Sequence, residues 1–214
     1  MWNASIKGQC AADSSGAAAT ITVNAGEVKL KAALSEANFE VGPSFSNLSL
    51  SLEKPASFII DYHVPKQDLR FQFMNSIRVL DKQLNLTYTH SRREKNLWLD
   101  GTLIIDSSNK VSANYKFDSG NCKLKYCYSQ EGGVRTFEPC YDVSKNCWDF
   151  IVSQRIYGGD VVKASYQTST KILGFQWSRT SPFSGSFKVS ASLNLTEEAR
   201  IPKLSAESTW NVDM

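Results

Sequence analysis

Apolar and polar residues alternate one by one along most of the chain, as in β-strands whose two faces meet different environments. The clearest case runs from Lys110 to Ser129, where two alternating segments flank the turn Asp118-Ser119-Gly120-Asn121. One face of this predicted hairpin is apolar and partly aromatic, and the other carries four lysines. The pattern therefore predicts a strand pair that separates an apolar from a polar environment.

The same alternation recurs in about sixteen segments when they are counted generously, and no segment predicts a helix. The segment from Arg135 to Tyr141 is the weakest, because Pro139 lacks the N–H that a central strand needs. Merging the doubtful segments leaves twelve or fourteen strands, and the short connections favour an up-and-down order with sequential neighbours paired. We therefore predict a single all-β domain over residues 1–214 with an even strand number, about 14 in a range of 12–16.

Composition narrows the function classes. The 214 residues carry a formal charge of only +3, so no nucleic-acid partner is expected. Five cysteines form no repeating framework, which argues against a disulfide scaffold. No targeting segment is evident, and no stretch approaches the roughly 18 apolar residues of a spanning helix. A helical membrane protein is thus excluded, while a membrane barrel stays open because its strands alternate.

Alternation shows that one strand face is buried without showing what buries it. A soluble barrel or sandwich with its apolar face inside, binding a small apolar ligand, is therefore an alternative. A closed meander this long, however, has an interior too wide for side chains to fill, since about eight strands already fill one. The sequence favours a closed, antiparallel, up-and-down transmembrane β-barrel with a lipid bilayer around it.

Two sets of residues follow from this assignment. Aromatic residues near the ends of the apolar faces are expected to form membrane girdles: Trp2, Phe117, Tyr128, Trp148, Tyr157, Trp177 and Trp210. Charged residues on the polar faces are expected to line a water-filled pore: Lys7, Lys29, Lys31, Arg70, Arg78, Lys110, Lys116, Lys123, Lys125, Arg135, Arg155, Lys163 and Lys188, with Glu27, Asp61, Asp100, Asp149 and Glu207. The lysine-rich tally predicts a lumen that attracts anions at low salt.

No catalytic constellation accompanies these faces. The chain has no P-loop, no HExxH and no CxxC pair, and His63 and His90 lack neighbours at metal-ligand spacing. We therefore expect no enzymatic activity, no metal and no cofactor.

Several non-repetitive motifs spread from end to end carry a family resemblance: Phe71-Gln72-Phe73-Met74-Asn75, Leu84-Asn85-Leu86-Thr87-Tyr88, Thr136-Phe137-Glu138-Pro139-Cys140-Tyr141-Asp142, Trp148-Asp149-Phe150 and Thr209-Trp210-Asn211. With them the chain resembles the chloroplast outer-envelope pore proteins of the twenty-four-kilodalton class. The resemblance implies a wide, poorly selective β-barrel channel in the plastid outer envelope, inserted without a cleaved transit peptide. It also implies passage of triose phosphates, phosphate, dicarboxylates, sugars, amino acids and nucleotides, and self-association into a homo-oligomer is left open.

Overall fold

The computed structural model describes the backbone of residues 2–11, 14–36, 48–156, 159–181, 185–197 and 201–213, and the side chains of 18–34, 48–130, 132–156, 159–180, 185–197 and 201–210. The described part contains sixteen strands and one short 3₁₀ turn, Glu131–Gly133. The strands are β1 (Trp2–Ala11), β2 (Ser14–Ala25), β3 (Val28–Glu36), β4 (Leu48–Lys54), β5 (Phe58–His63), β6 (Asp68–Val79), β7 (Lys82–Ser91), β8 (Leu97–Ile104), β9 (Asn109–Lys116), β10 (Cys122–Ser129), β11 (Arg135–Asp142), β12 (Cys147–Arg155), β13 (Asp160–Gln167), β14 (Ile172–Ser181), β15 (Gly185–Asn194) and β16 (Lys203–Asp213).

Every strand pairs antiparallel with its sequence neighbours, which confirms the predicted all-β, up-and-down architecture. β1 and β16 also pair, with Asn3 aligned to Asp213 and Ala11 to Ser205, so the strands form a closed ring. The sixteen strands observed are more than the predicted number of about 14 and lie at the upper limit of the predicted range of 12–16. The two segments with the weakest alternation, now β8 and β11, are strands of eight residues each.

β11 shows how a strand continues through proline. Its pairing with β10 is interrupted after Lys125 and Cys140 and resumes at Tyr128 and Phe137. Pro139 lies between these two paired positions. On the other side, Pro139 is aligned with Phe150 of β12 without interruption. Because proline donates no hydrogen bond, the ladder is broken on one side only.

The barrel has no apolar core within its described part. The only buried hydrophobic side chain there is Cys147, 8% exposed, whereas Phe73 and Trp210 are each 52% exposed. A soluble barrel turns such residues inward, and here they cover the convex outer surface instead. No helix among the described residues is long and apolar enough to cross a bilayer.

Tight turns close both ends of the ring. Gly26 (φ +64°) turns the chain between β2 and β3, and Gly120 (φ +65°) lies between β9 and β10 at the opposite end. Left-handed backbone of this kind strains residues that carry a Cβ. We call the two rims the Gly26 end and the Gly120 end.

Candidate functional site

The polar faces of the strands enclose the lumen. Rows of aligned residues run around the wall, for example Lys163, Gln176, Ser190 and Ser205 on β13 to β16. Two concave regions of about 330 and 360 Å³ open on this face, the first beside Lys163 and the second beside Arg70. Since only the inner surface of a barrel is concave, the polar residues face inward.

Strand register assigns most of the predicted charged residues to this inner face. They are Lys29, Lys31, Arg70, Arg78, Lys110, Lys116, Lys123, Lys125, Arg155, Lys163 and Lys188, with Asp61, Asp100, Asp149 and Glu207. The side chain of Lys7 lies outside the described residues.

Two of the predicted lining residues lie elsewhere. Arg135 is aligned with Gln154 and shares the outer face of β11 with Phe137, because inward positions in that strand begin at Thr136. The alternation near Pro139 was too weak to fix this phase from sequence. Glu27 lies in the β2–β3 turn, where its exposed carboxylate forms a 2.9 Å ion pair with Lys54 at the Gly26 end.

Sequence reasoning missed several inward carboxylates. Glu53, Glu138 and Asp142 each form an ion pair with an inner-face lysine. The partners are Lys31 for Glu53, Lys125 for Glu138 at 3.3 Å, and Lys123 for Asp142 at 3.3 Å. The period-2 pattern could have revealed them, since Glu53 follows Leu52 in phase and Glu138 alternates with Phe137.

Further cross-strand pairs neutralise inner-face charges. Arg70 lies 2.6 Å from Asp61, and Lys188 lies 2.8 Å from Glu207. Other inner-face cations have no carboxylate within 4 Å among the described side chains: Lys29, Arg78, Lys110, Lys116, Arg155, Lys163 and Lys203. The positive excess of the lumen is therefore smaller and more local than the sequence tally indicated.

A buried polar contact joins two turns at the Gly120 end. The Ser91 hydroxyl donates to Asp68 at 2.6 Å, and the Arg93 backbone N–H donates to the same carboxylate at 2.7 Å. Nearby, the Arg92 N–H donates to the Leu69 carbonyl at 3.0 Å. We call Asp68, Ser91 and Arg93 the turn latch, because they tie the β7–β8 turn to the start of β6.

Aromatic side chains on the outer face form clusters near both ends. At the Gly120 end, the ring centroids of Tyr115 and Phe117 are 4.9 Å apart, and those of Tyr141 and Trp148 are also 4.9 Å apart. Of these four, the sequence analysis had named Phe117 and Trp148.

Towards the Gly26 end, the ring centroids of Trp177 and Phe187 are 5.8 Å apart. Tyr128 on β10 and Trp210 on β16 are also exposed towards this end. The side chain of Trp2 and the whole of Tyr157 lie outside the described residues. Along the backbone, Trp210 is aligned with Ile6, four positions from Trp2.

Metal binding has no support in the described part of the chain, where no three His, Cys, Asp or Glu side chains gather closely enough to hold an ion. The inner face instead offers ammonium, guanidinium, carboxylate, hydroxyl and amide groups facing a wide space. Such groups can form hydrogen bonds and charge contacts with small polar molecules.

Sequence comparisons match the whole chain. A family model described as outer envelope pore protein 24 matches residues 2–213. The chain is 53% identical over 211 residues to outer envelope pore protein 24B, chloroplastic, of Arabidopsis thaliana, covering 99% of this chain and 98% of the relative. It is 43% identical over 222 residues to outer envelope pore protein 24, chloroplastic, of Oryza sativa subsp. indica, covering 99% of each.

Solved structures with a similar fold are bacterial porins. A triple mutant of the Rhodopseudomonas blastica porin matches with a TM-score of 0.66 and 9% identity, covering 99% of each chain. A second mutant of that porin matches with a TM-score of 0.63, also at 9% identity, covering 100% of this chain and 99% of the porin. At this identity the likeness concerns the fold alone.

Proposed function

Because the chain belongs to the outer envelope pore protein 24 family, we propose that it forms a passive, wide and poorly selective solute channel through the plastid outer envelope. Family membership confirms the expected location in the chloroplast outer envelope. The channel is a single transmembrane barrel domain over residues 1–214.

The inverted distribution of side chains carries the proposal. Large apolar residues such as Phe73, Phe175 and Leu204 are exposed on the outer face, while ion pairs and hydroxyl groups face the lumen. In water this outer surface drives aggregation, whereas in a bilayer it meets acyl chains. The outer aromatic clusters then lie at the two membrane interfaces.

The lumen supports passage of solutes of either charge. Barrels of 16–18 strands leave an aqueous channel, and this one has sixteen. Its wall mixes both charge signs, so small charged and neutral metabolites find partners without a dedicated cage. We propose the solutes that the family resemblance implied, namely triose phosphates, phosphate, dicarboxylates, sugars, amino acids and nucleotides. Self-association into a homo-oligomer stays a prediction.

A soluble protein that binds a small apolar ligand is the competing function. Such a protein needs an apolar interior with few polar groups. Here the polar faces line both cavities, and Cys147 is the only buried hydrophobic residue among the described side chains. This arrangement disfavours the alternative.

Conductance measurements test the proposal. The refolded protein should produce stepwise currents in planar bilayers and should admit neutral sugars into liposomes at rates that fall with sugar size. As a parallel test, the protein should float with liposomes in a density gradient. A protein that stays in the aqueous fraction and leaves liposomes as tight as protein-free controls overturns the proposal.

A further inference from the structure

One wall of the lumen combines two lysines that have no carboxylate within 4 Å among the described side chains with a floor that is mostly hydroxyl and amide groups. The 330 Å³ cavity on β12 to β16 is lined by Lys163 on β13 and Lys203 on β16. The rest of the inward lining is mostly neutral, with Ile151 as its apolar member. Its polar members are Ser165, Gln167, Gln176, Ser190, Ser192 and Ser205. Asp149 is the one carboxylate in the lining, and it forms no ion pair with either lysine.

The depth of this cavity depends on a glycine. Gly174 is aligned with Ser165 on one side and Ser192 on the other. A Cβ at Gly174 would lie 2.5 Å from the Ser165 hydroxyl, so any side chain there must displace that hydroxyl and narrow the cavity. The missing side chain thus lets Ser165 present its hydroxyl in the cavity wall.

The other large cavity is a useful contrast. Beside it, Arg70 is bound to Asp61, Lys66 lies 3.7 Å from Glu94, and Asp68 is held in the turn latch. Its cations are therefore already engaged by the protein. Those of the Lys163 cavity remain available to an anion in the lumen.

We propose that Lys163, Lys203 and the polar floor between them form a low-affinity subsite for small hydroxylated organic phosphates. The inference rests on the proposed channel function and adds a site in the lumen at which one class of solute binds transiently. Lysine is a hydrated point charge that attracts phosphate without fixing its orientation. Serine and glutamine both donate and accept hydrogen bonds, as sugar hydroxyl groups do.

The geometry matches a solute with one anionic group and several hydroxyl groups. β13 and β16 are three strand spacings apart, and Lys203 is two residues from Ser205, the residue in register with Lys163. At ~4.8 Å a strand and ~3.4 Å a residue, the backbones at Lys163 and Lys203 are about 16 Å apart. A phosphate at one margin leaves the hydroxyl groups over the neutral floor. Binding of this kind is weak, as conduction requires for a solute that must leave again.

The test measures how solutes reduce the KCl current through single channels at about 0.1 M ionic strength, where the Debye length is about 10 Å, so that contacts inside the cavity still act while lysines on distant strands are largely screened. The probes are glucose 6-phosphate, inorganic phosphate and glucose. In the unmodified channel, glucose 6-phosphate should reduce the current at a lower concentration than inorganic phosphate or glucose. The double variant Lys163→Gln with Lys203→Gln should raise its half-inhibiting concentration about three- to tenfold, as expected for solvent-screened charge contacts.

Two further variants separate the subsite from general charge. Lys110→Gln with Lys116→Gln removes two other unpaired inner-face lysines, on β9, and should leave the half-inhibiting concentration within about twofold. Gly174→Val keeps both lysines but narrows the cavity. It should raise the half-inhibiting concentration of glucose 6-phosphate more than that of inorganic phosphate.

The proposed subsite is wrong if the two lysine double variants raise the half-inhibiting concentration of glucose 6-phosphate equally. It is also wrong if glucose 6-phosphate and inorganic phosphate inhibit the unmodified channel at the same concentration. In either case the channel still conducts. If the unmodified protein forms no channel at all, the proposed function itself fails, so the two failures are distinguishable.

Discussion

Lys188 and Glu207 lie directly opposite each other on β15 and β16, and their Nζ and Oε2 atoms are 2.8 Å apart on the inner face. The next residue, Val189, is aligned with Ala206 and lies on the outer face. Two adjacent residues therefore face opposite sides of the wall, one the charged lumen and the other the outer surface, which the proposed function places against lipid.

The first prediction uses this adjacency. Val189→Arg places a charge on the lipid face and should destabilise the folded barrel by about 2–4 kcal/mol if the site lies near the bilayer midplane. Lys188→Ser removes one side of a solvated ion pair and should cost less than about 1 kcal/mol. Urea unfolding in lipid vesicles, followed by tryptophan fluorescence, measures both. Similar losses at the two positions contradict the assigned faces.

The second prediction concerns ion selectivity. Replacing Lys116, Lys123 and Lys125 by Gln should shift the reversal potential in a salt gradient towards cations, because Asp142 and Glu138 lose their partners. The reverse change, Glu138→Gln with Asp142→Asn, should shift it towards anions for the same reason. Both shifts should shrink as salt rises, since the Debye length is only about 8 Å at physiological ionic strength.

Arg135→Gln is the matched control for these charge changes. Its side chain lies on the outer face, so the reversal potential should stay where it is in the unmodified channel. A shift as large as that of the lysine variants places Arg135 in the permeation path and contradicts the register of β11.

The third prediction tests the same strand by thiol labelling. Thr136 faces inward, where its hydroxyl contacts Ser153, and Arg135 beside it faces outward. In a protein whose native cysteines are replaced by Ala, Thr136→Cys should lose current when a charged, membrane-impermeant thiol reagent is added. Arg135→Cys should keep its current. Loss of current at both positions, or at Arg135→Cys alone, refutes the assigned phase.

The fourth prediction concerns the turn latch. Asp68→Ala leaves the buried Ser91 hydroxyl and the partly buried Arg93 N–H without their acceptor. The free energy of unfolding should fall by about 1–3 kcal/mol. Ser76→Ala removes an exposed hydrogen bond to Asn85 and should change stability by less than about 0.5 kcal/mol. If Asp68→Ala and Ser76→Ala lower the free energy of unfolding equally, the turn latch does not stabilise the barrel.

Weak alternation limited what could be inferred for β11. Pro139 interrupts the ladder, and the polar residues on its two faces give no clear phase. Arg135 was therefore assigned to the lumen, although its alignment with Gln154 places it outside. The inner carboxylates Glu53 and Glu138 were within reach of the pattern but lie near turns or proline, where strand boundaries are hard to fix from one sequence.

The sequence by itself determined the strands, their two unlike faces, their up-and-down order and the family, because side-chain period and local turns are properties of neighbouring residues. Only the tertiary structure decided the count of sixteen strands and the pairing of β1 with β16, since ring closure joins the two ends of the chain. It also decided which lysines have partners. Lys123 forms an ion pair with Asp142 across a strand pair, while Lys163 has no carboxylate partner among the described side chains. Such contacts depend on the register between segments distant in sequence.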